Sequence, residues 1–239
     1  MVRDRLKDRE FFKNKIPMLQ KLNQETLEEL KNNEIKKERI SDVSRTLFTF
    51  ALRSIFCSYS AGDSKEEVRK HFDEALRMLD KKESAWEHEM GGKNHMGPYH
   101  LRDMVALLSL AVLLDATKEQ VALLVKHINY DSMRHRILDY LLSYFTKNTP
   151  IDKLSADEYA FKDLTSLMDV SNEEILSKKL MDKYLKNWFK VEDRVVMYDR
   201  HKYDNYVGYW SFESAAFVKI RGLDDSGFRD NVYYPKDLI

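Results

Sequence analysis

The chain has 239 residues, with 40 Lys and Arg against 40 Asp and Glu, and only seven glycines and four prolines. That balance excludes the basic surplus with which a general nucleic-acid binder neutralises phosphates, and so few turn formers exclude a hairpin-rich β fold. The single cysteine excludes an internal disulfide and fits a reducing cytoplasm.

The first ten residues mix both signs of charge and contain no apolar core of the signal-peptide kind. Helical periodicity then runs almost throughout. It predicts a helix near 3–31, disturbed at Pro17, and another near 34–60. In the second, Ile35, Ile40, Val43, Leu47, Phe50, Ala51, Ile55 and Phe56 share one face. Cys57 lies in this apolar stretch and reads as a buried thiol, because a nucleophile needs a polar, electropositive setting that lowers its pKa. Gly62 stands where a helix C-terminus wants a residue tolerant of positive φ. Further helices are expected near 65–84, 99–115, 118–129, 133–147, 156–169, 172–188 and 206–221. Four pairs mark helix starts with a capping-box pattern: Ser64/Glu67, Thr117/Gln120, Ser155/Glu158 and Ser171/Glu174.

The apolar run from Met104 to Leu114 is too short to cross a bilayer. The expected fold is therefore all-α, a compact array of about eight or nine antiparallel helices. The loop at 147–154 is the best internal boundary and divides 1–149 from 150–239. It is short, so the N-terminal and C-terminal helical regions are expected to share one interface. From Pro150 onward the chain holds 14 basic and 17 acidic side chains, which leaves the back slightly acidic.

Little in the sequence supports catalysis. Glu87, His88, Glu89, His95 and His100 cluster around a glycine-rich loop and resemble a metal-binding density, yet they match no HExxH pair and read as a solvated loop. His127 and His135 read as surface residues on charged helix faces. No Gly-x-Ser-x-Gly elbow is present, and Gly91-Gly92-Lys93 lacks the spacing of a phosphate loop. The expectation is a protein without catalytic residues, metal or cofactor.

The final segment is the most distinctive. On the 206–221 helix, Tyr206, Trp210, Glu213, Phe217 and Ile220 recur at three- and four-residue steps. Glu213 is the exception among these aromatics, because a buried carboxylate is costly unless it is paired or hydrogen-bonded. It reads either as half of a salt bridge to an Arg or Lys on another helix or as a functional anion. Gly222 ends the helix, and Asp224, Asp225 and Asp230 follow in a short loop before Tyr233 and Tyr234. The aspartates read either as local caps on Ser226 and Arg229 or as an acidic patch that faces a partner.

Three stretches carry a family resemblance. They are Phe56–Ser64 leading into the helix from Glu66 to Leu79, the helix from Leu101 to Leu114, and the tail. The tail comprises Trp210–Ala216 with Glu213, Gly222–Ser226, Phe228–Asp230 and Tyr233–Leu238. On these residues the chain resembles the PoNi family of immunity proteins, cytoplasmic antitoxins of PoNe-type DNase toxins delivered between bacteria, often by type VI secretion. The resemblance implies an all-helical fold, no enzymatic activity and one main protein partner, the cognate toxin. With the balanced charge and the short apolar run, no direct nucleic acid or membrane contact is expected. Asp224, Asp225, Asp230, Tyr233 and Tyr234 are the expected partner-binding residues, and Trp210, Glu213, Gly222 and Gly62 the expected structural ones. A helical-repeat adaptor that binds peptides and a metal-dependent hydrolase built on Glu87, His88, His95 and His100 are the competing readings.

Overall fold

Ten α-helices form among the described residues, and no strand. The computed structural model describes residues 1–90, 98–130, 134–146, 161–192 and 199–239, with the side chains of 82–90, 98–100, 130 and 191–192 outside that description. Two contact-defined units result.

The first unit comprises Met1–Met96 and His201–Gly208. It holds α1 (Arg9–Lys31), α2 (Ile40–Ala61) and α3 (Lys65–Met90), with α2 packed against both neighbours. Phe12, Ile16 and Leu19 of α1, Leu47, Phe48 and Ile55 of α2, and Val68, Phe72 and Leu79 of α3 are buried as its core. Each such side chain contributes about 1.5–3 kcal/mol by leaving water. α1 passes through Pro17, which is exposed, so the carbonyl that proline leaves unpaired can meet solvent.

The helix expected from residue 3 begins only at Arg9. The Asp4 carboxylate takes the backbone N–H groups of Leu6 (2.8 Å) and Lys7 (2.9 Å), a local bond that competes with the helix. Asp8 then caps α1 by accepting from the Phe11 N–H at 2.8 Å. Residues 3 and 4 instead donate backbone N–H to the Ser60 carbonyl at 3.0 and 3.3 Å.

α2 closes as a Schellman turn. Gly62 sits at φ 84°, its N–H donates to the Tyr59 carbonyl (3.0 Å), and the Asp63 N–H donates to that of Ser58 (3.1 Å). The Asp63 carboxylate is buried and accepts from Lys13 Nζ and Ser58 Oγ. Burial alone would raise its pKa; these hydrogen bonds outweigh that and hold it below the usual carboxylate range.

The second unit comprises Gly97–Arg200 and Tyr209–Ile239. It holds α4 (Pro98–Leu113), α5 (Lys118–Tyr130), α6 (Arg136–Leu142), α7 (Lys162–Ser166), α8 (Asn172–Ser177), α9 (Leu180–Glu192) and α10 (Phe212–Arg221). α4 is its centre: the run Leu107–Leu114 is fully buried, and α5, α6 and α10 pack around it. The capping pairs behave as their spacing predicts. Thr117 and Gln120 bond reciprocally (2.8 and 3.3 Å), and Ser64 and Ser171 accept from the N–H groups of Glu67 and Glu174. Ser155/Glu158 and the 147–154 loop lie outside the described residues.

Three expectations change. The helix expected over 172–188 is two, because Lys179 turns to φ 51° between α8 and α9. His127 is fully buried, not on the surface, since it falls three residues after Leu124 on the stripe that also buries Val121. His135 is buried as well; it precedes α6, and its Nδ1 accepts from the Ile137 N–H at 3.2 Å, a capping role that periodicity does not reveal.

Candidate functional site

The site is built from the end of α9, α10 and the tail, all within the second unit. Residues 206–211 are not helical, in contrast to the expected helix over 206–221. Gly208 stands at φ 109°, and the Ser211 N–H donates to the Tyr233 carbonyl at 2.8 Å, so α10 starts only at Phe212. The expected stripe is divided accordingly. Tyr206 belongs to the first unit, whereas Trp210, Glu213 and Phe217 lie buried in the second. Phe217 stacks on Tyr140 of α6 at 5.4 Å.

Glu213 is buried, 6 % exposed, and one oxygen, Oε1, accepts three hydrogen bonds. The donors are Trp188 Nε1 (2.5 Å), Ser211 Oγ (2.7 Å) and the Tyr184 hydroxyl (3.0 Å). All three are neutral, so among the described residues this oxygen is satisfied by hydrogen bonding and not by the expected Arg or Lys. Burial, followed by the negative charge on Glu213, pushes the Tyr184 phenol well above its ordinary pKa. Tyr184 and Trp188 were missing from the sequence reading, although their four-residue spacing on a helix is the signal that could have found them.

α10 ends as α2 does. Gly222 sits at φ 61°, and the N–H groups of Gly222 and Leu223 donate to the Lys219 and Val218 carbonyls at 3.3 and 3.1 Å. The last-turn cations are spent on neighbouring helix ends. Lys219 donates to the Val112 carbonyl (2.8 Å) and to Asp115 (2.6 Å), and Arg221 donates to Asn172 (2.8 Å) and to the Met168 and Val170 carbonyls.

The tail then folds onto this base. The Asp224 carboxylate accepts from the Ser226 N–H (3.0 Å) and hydroxyl (2.9 Å), which hold it below the usual carboxylate range while it stays exposed. Asp225 points inward, with its Oδ2 accepting from Arg229 (2.5 Å) and from the Tyr234 hydroxyl (3.3 Å). Asp230 is 91 % exposed beside Lys236 at 2.7 Å. Tyr234 is buried edge-to-face on Phe228. Tyr233 is half-buried, stacked on Phe189 at 5.3 Å with Trp188 at 5.4 Å. The five expected partner-binding residues thus fold together, but Asp224 and Asp230 are the two most open to solvent.

The other chemistry-bearing residues fall elsewhere. Cys57 is fully buried, and desolvation pushes its thiol up to about 12, so it is no thiolate at neutral pH. The side chains of Glu87, His88, Glu89, His95 and His100 lie outside the described residues. Among the described residues, no helix is long and apolar enough to cross a membrane.

Comparison with known proteins agrees with this architecture. Residues 3–126 match the family described as PoNe immunity protein (PoNi), N-terminal, and residues 133–238 match PoNe immunity proteins (PoNi), C-terminal. No curated protein sequence matches significantly. The crystal structure of protein PA2201 from Pseudomonas aeruginosa shares the fold, with a TM-score of 0.73 at 18 % identity over 99 % of this chain and 89 % of that one. With one family region on the N-terminal helices and the other on the helices and tail that follow, the chain belongs to the PoNe immunity protein (PoNi) family.

Proposed function

We propose that this chain neutralises a cognate PoNe DNase toxin in the cytoplasm, by tight one-to-one binding that covers the toxin's DNA-binding or active-site cleft. The observation that carries this reading is the family match over both regions, 3–126 and 133–238. The action is occlusion and not catalysis, and it calls for no cofactor and no contact with nucleic acid. The toxin would be of the kind that bacteria deliver into neighbours, often by type VI secretion.

The physics of the tail supports it. A nuclease exposes a basic groove for phosphates, and Asp224 and Asp230 offer exposed charge of the opposite sign. Asp225 and Tyr234 back them from within the fold, and the half-buried Tyr233 lies beside them. Long-range attraction then raises the association rate toward roughly 10⁸ M⁻¹s⁻¹ at low salt. Protection demands near-complete occupancy of the toxin, which favours a slow off-rate and a well-packed centre.

Co-expression with the protein encoded beside it tests the function. The expected outcome is one-to-one co-purification with DNA cleavage abolished. Undiminished cleavage at stoichiometric excess would reject it, and binding of several short peptides would favour the helical adaptor instead. Asp224→Lys combined with Asp230→Lys is expected to weaken toxin binding at least about tenfold at low salt. A change within about threefold would remove this surface from the interface.

A further inference from the structure

We infer that Glu213 is a positioning residue for the toxin-facing tail: it never meets the toxin, but it sets the posture in which Asp224 and Asp230 are presented. This rests on the tail being the contact surface, as proposed above.

The geometry converges on one oxygen. Through Oε1, Glu213 of α10 collects Trp188 and Tyr184 from α9 and Ser211 from the segment before α10. Two of these three donors, Ser211 and Trp188, also hold the tail, the latter together with its neighbour in sequence. The Ser211 N–H donates to the Tyr233 carbonyl at 2.8 Å, so its hydroxyl serves the carboxylate while its backbone serves the tail. Trp188 lies 5.4 Å from the Tyr233 ring, and Phe189, next in sequence, stacks on that ring with only 2° between the planes.

From Tyr233 the restraint passes to the acidic loop. The Tyr233 N–H donates to Asn231 Oδ1 at 3.0 Å, and the Asn231 N–H donates to the Phe228 carbonyl at 2.9 Å. Tyr234 reaches back to Asp225, which also holds Arg229. The loop that carries Asp224 and Asp230 is thus closed at its far end by residues that Glu213 orients. Any freedom left in that end must be lost on binding, and a preorganised surface avoids that loss.

Removing the carboxylate should loosen the tail without unfolding the chain. Binding to the cognate PoNe nuclease would be measured for four proteins: the wild type, Glu213→Ala, Asp224→Lys with Asp230→Lys, and the combination of all three. Glu213→Ala is expected to weaken binding about tenfold, with Glu213→Gln, which keeps a carbonyl acceptor, recovering most of it. The decisive result is non-additivity. If Glu213 acts through the tail, the combined variant binds no worse than the tail variant alone, within about twofold. Fully additive losses would overturn the proposal.

A direct signature accompanies this. The Trp188 indole N–H resonance should move in Glu213→Ala, and amide exchange should quicken over 228–236 while that of α2 stays unchanged. A static indole signal, or faster exchange throughout, would also overturn it. If Glu213→Ala does not fold, Ser211→Ala removes one donor and leaves the carboxylate. It must then show the same local exchange and non-additivity at smaller amplitude, or the proposal fails. A tail variant with wild-type affinity would reject both the tail surface and this role, and a wild-type protein that binds no PoNe nuclease would reject the function itself.

Discussion

Two glycines with the same conformation have different reasons to be glycine. Gly62 and Gly222 both end helices in the left-handed region, at φ 84° and 61°. A Cβ on Gly222 would meet nothing within 4 Å, whereas one on Gly62 would stand 1.8 Å from the Met1 carbonyl oxygen. Gly222→Ala should therefore cost only the backbone term, about 1 kcal/mol. Gly62→Ala should cost at least about 2 kcal/mol, because the N-terminal segment must also move off α2. Urea unfolding of both variants checks the order; equal losses would mean that the Met1 contact contributes nothing. The sequence marked both positions as helix ends, since a glycine after an apolar stripe is a local signal. It could not separate them, because the neighbour of Gly62 comes from the other end of its unit's chain.

At the scale of elements, helix ends explain why some boundaries were legible and others not. Capping pairs announce starts through side chains three residues apart, and the described pairs form those bonds. Ends at a non-glycine residue give no such cue. Asn33, Asp115 and Lys179 all take positive φ, at 58°, 53° and 51°. Asn33 and Asp115 are residue types that tolerate this conformation, but Lys179 is not, and the 172–188 stripe runs through it without interruption. Lys179 is exposed, so Lys179→Gly should relieve the backbone and raise stability by about 0.5–1 kcal/mol. A loss of stability on thermal or urea unfolding would show that the α8–α9 break is not strained. The late start of α10 has a different cause. The N–H that would continue the helix backward is taken by the Tyr233 carbonyl, a partner more than twenty residues away in sequence.

Over the whole molecule, the first unit is completed by residues from near the end of the chain. Tyr206 donates its hydroxyl to Asp4 Oδ2 at 2.5 Å across 202 positions of sequence. Lys15 reaches the Asp204 carbonyl, and Ser60 donates to that of Val207 at 2.8 Å. Asp4 is buried, so removing its hydroxyl partner should cost about 1–3 kcal/mol. Tyr206→Phe is thus expected to lower the unfolding midpoint clearly. Tyr144→Phe, which loses an exposed bond to Asp115, should change it by less than about 0.5 kcal/mol. Equal effects would show that the closing segment adds no stability to the N-terminal helices.

What the sequence by itself determined is what local chemistry encodes. Period and capping placed most of the helices, the Met104–Leu114 run became the central core helix, and the tail motif pointed to the family that the comparisons establish. Tertiary structure alone decided the partners. Tyr206 left the aromatic stripe for Asp4, Glu213 took neutral donors from α9 and from Ser211, and of the tail carboxylates Asp225 turned inward while Asp224 and Asp230 stayed open. The physical reason is one of range. Backbone preference and amphipathic period act within a few residues, whereas a buried hydrogen bond is chosen by whichever donor the folded chain brings within about 3 Å.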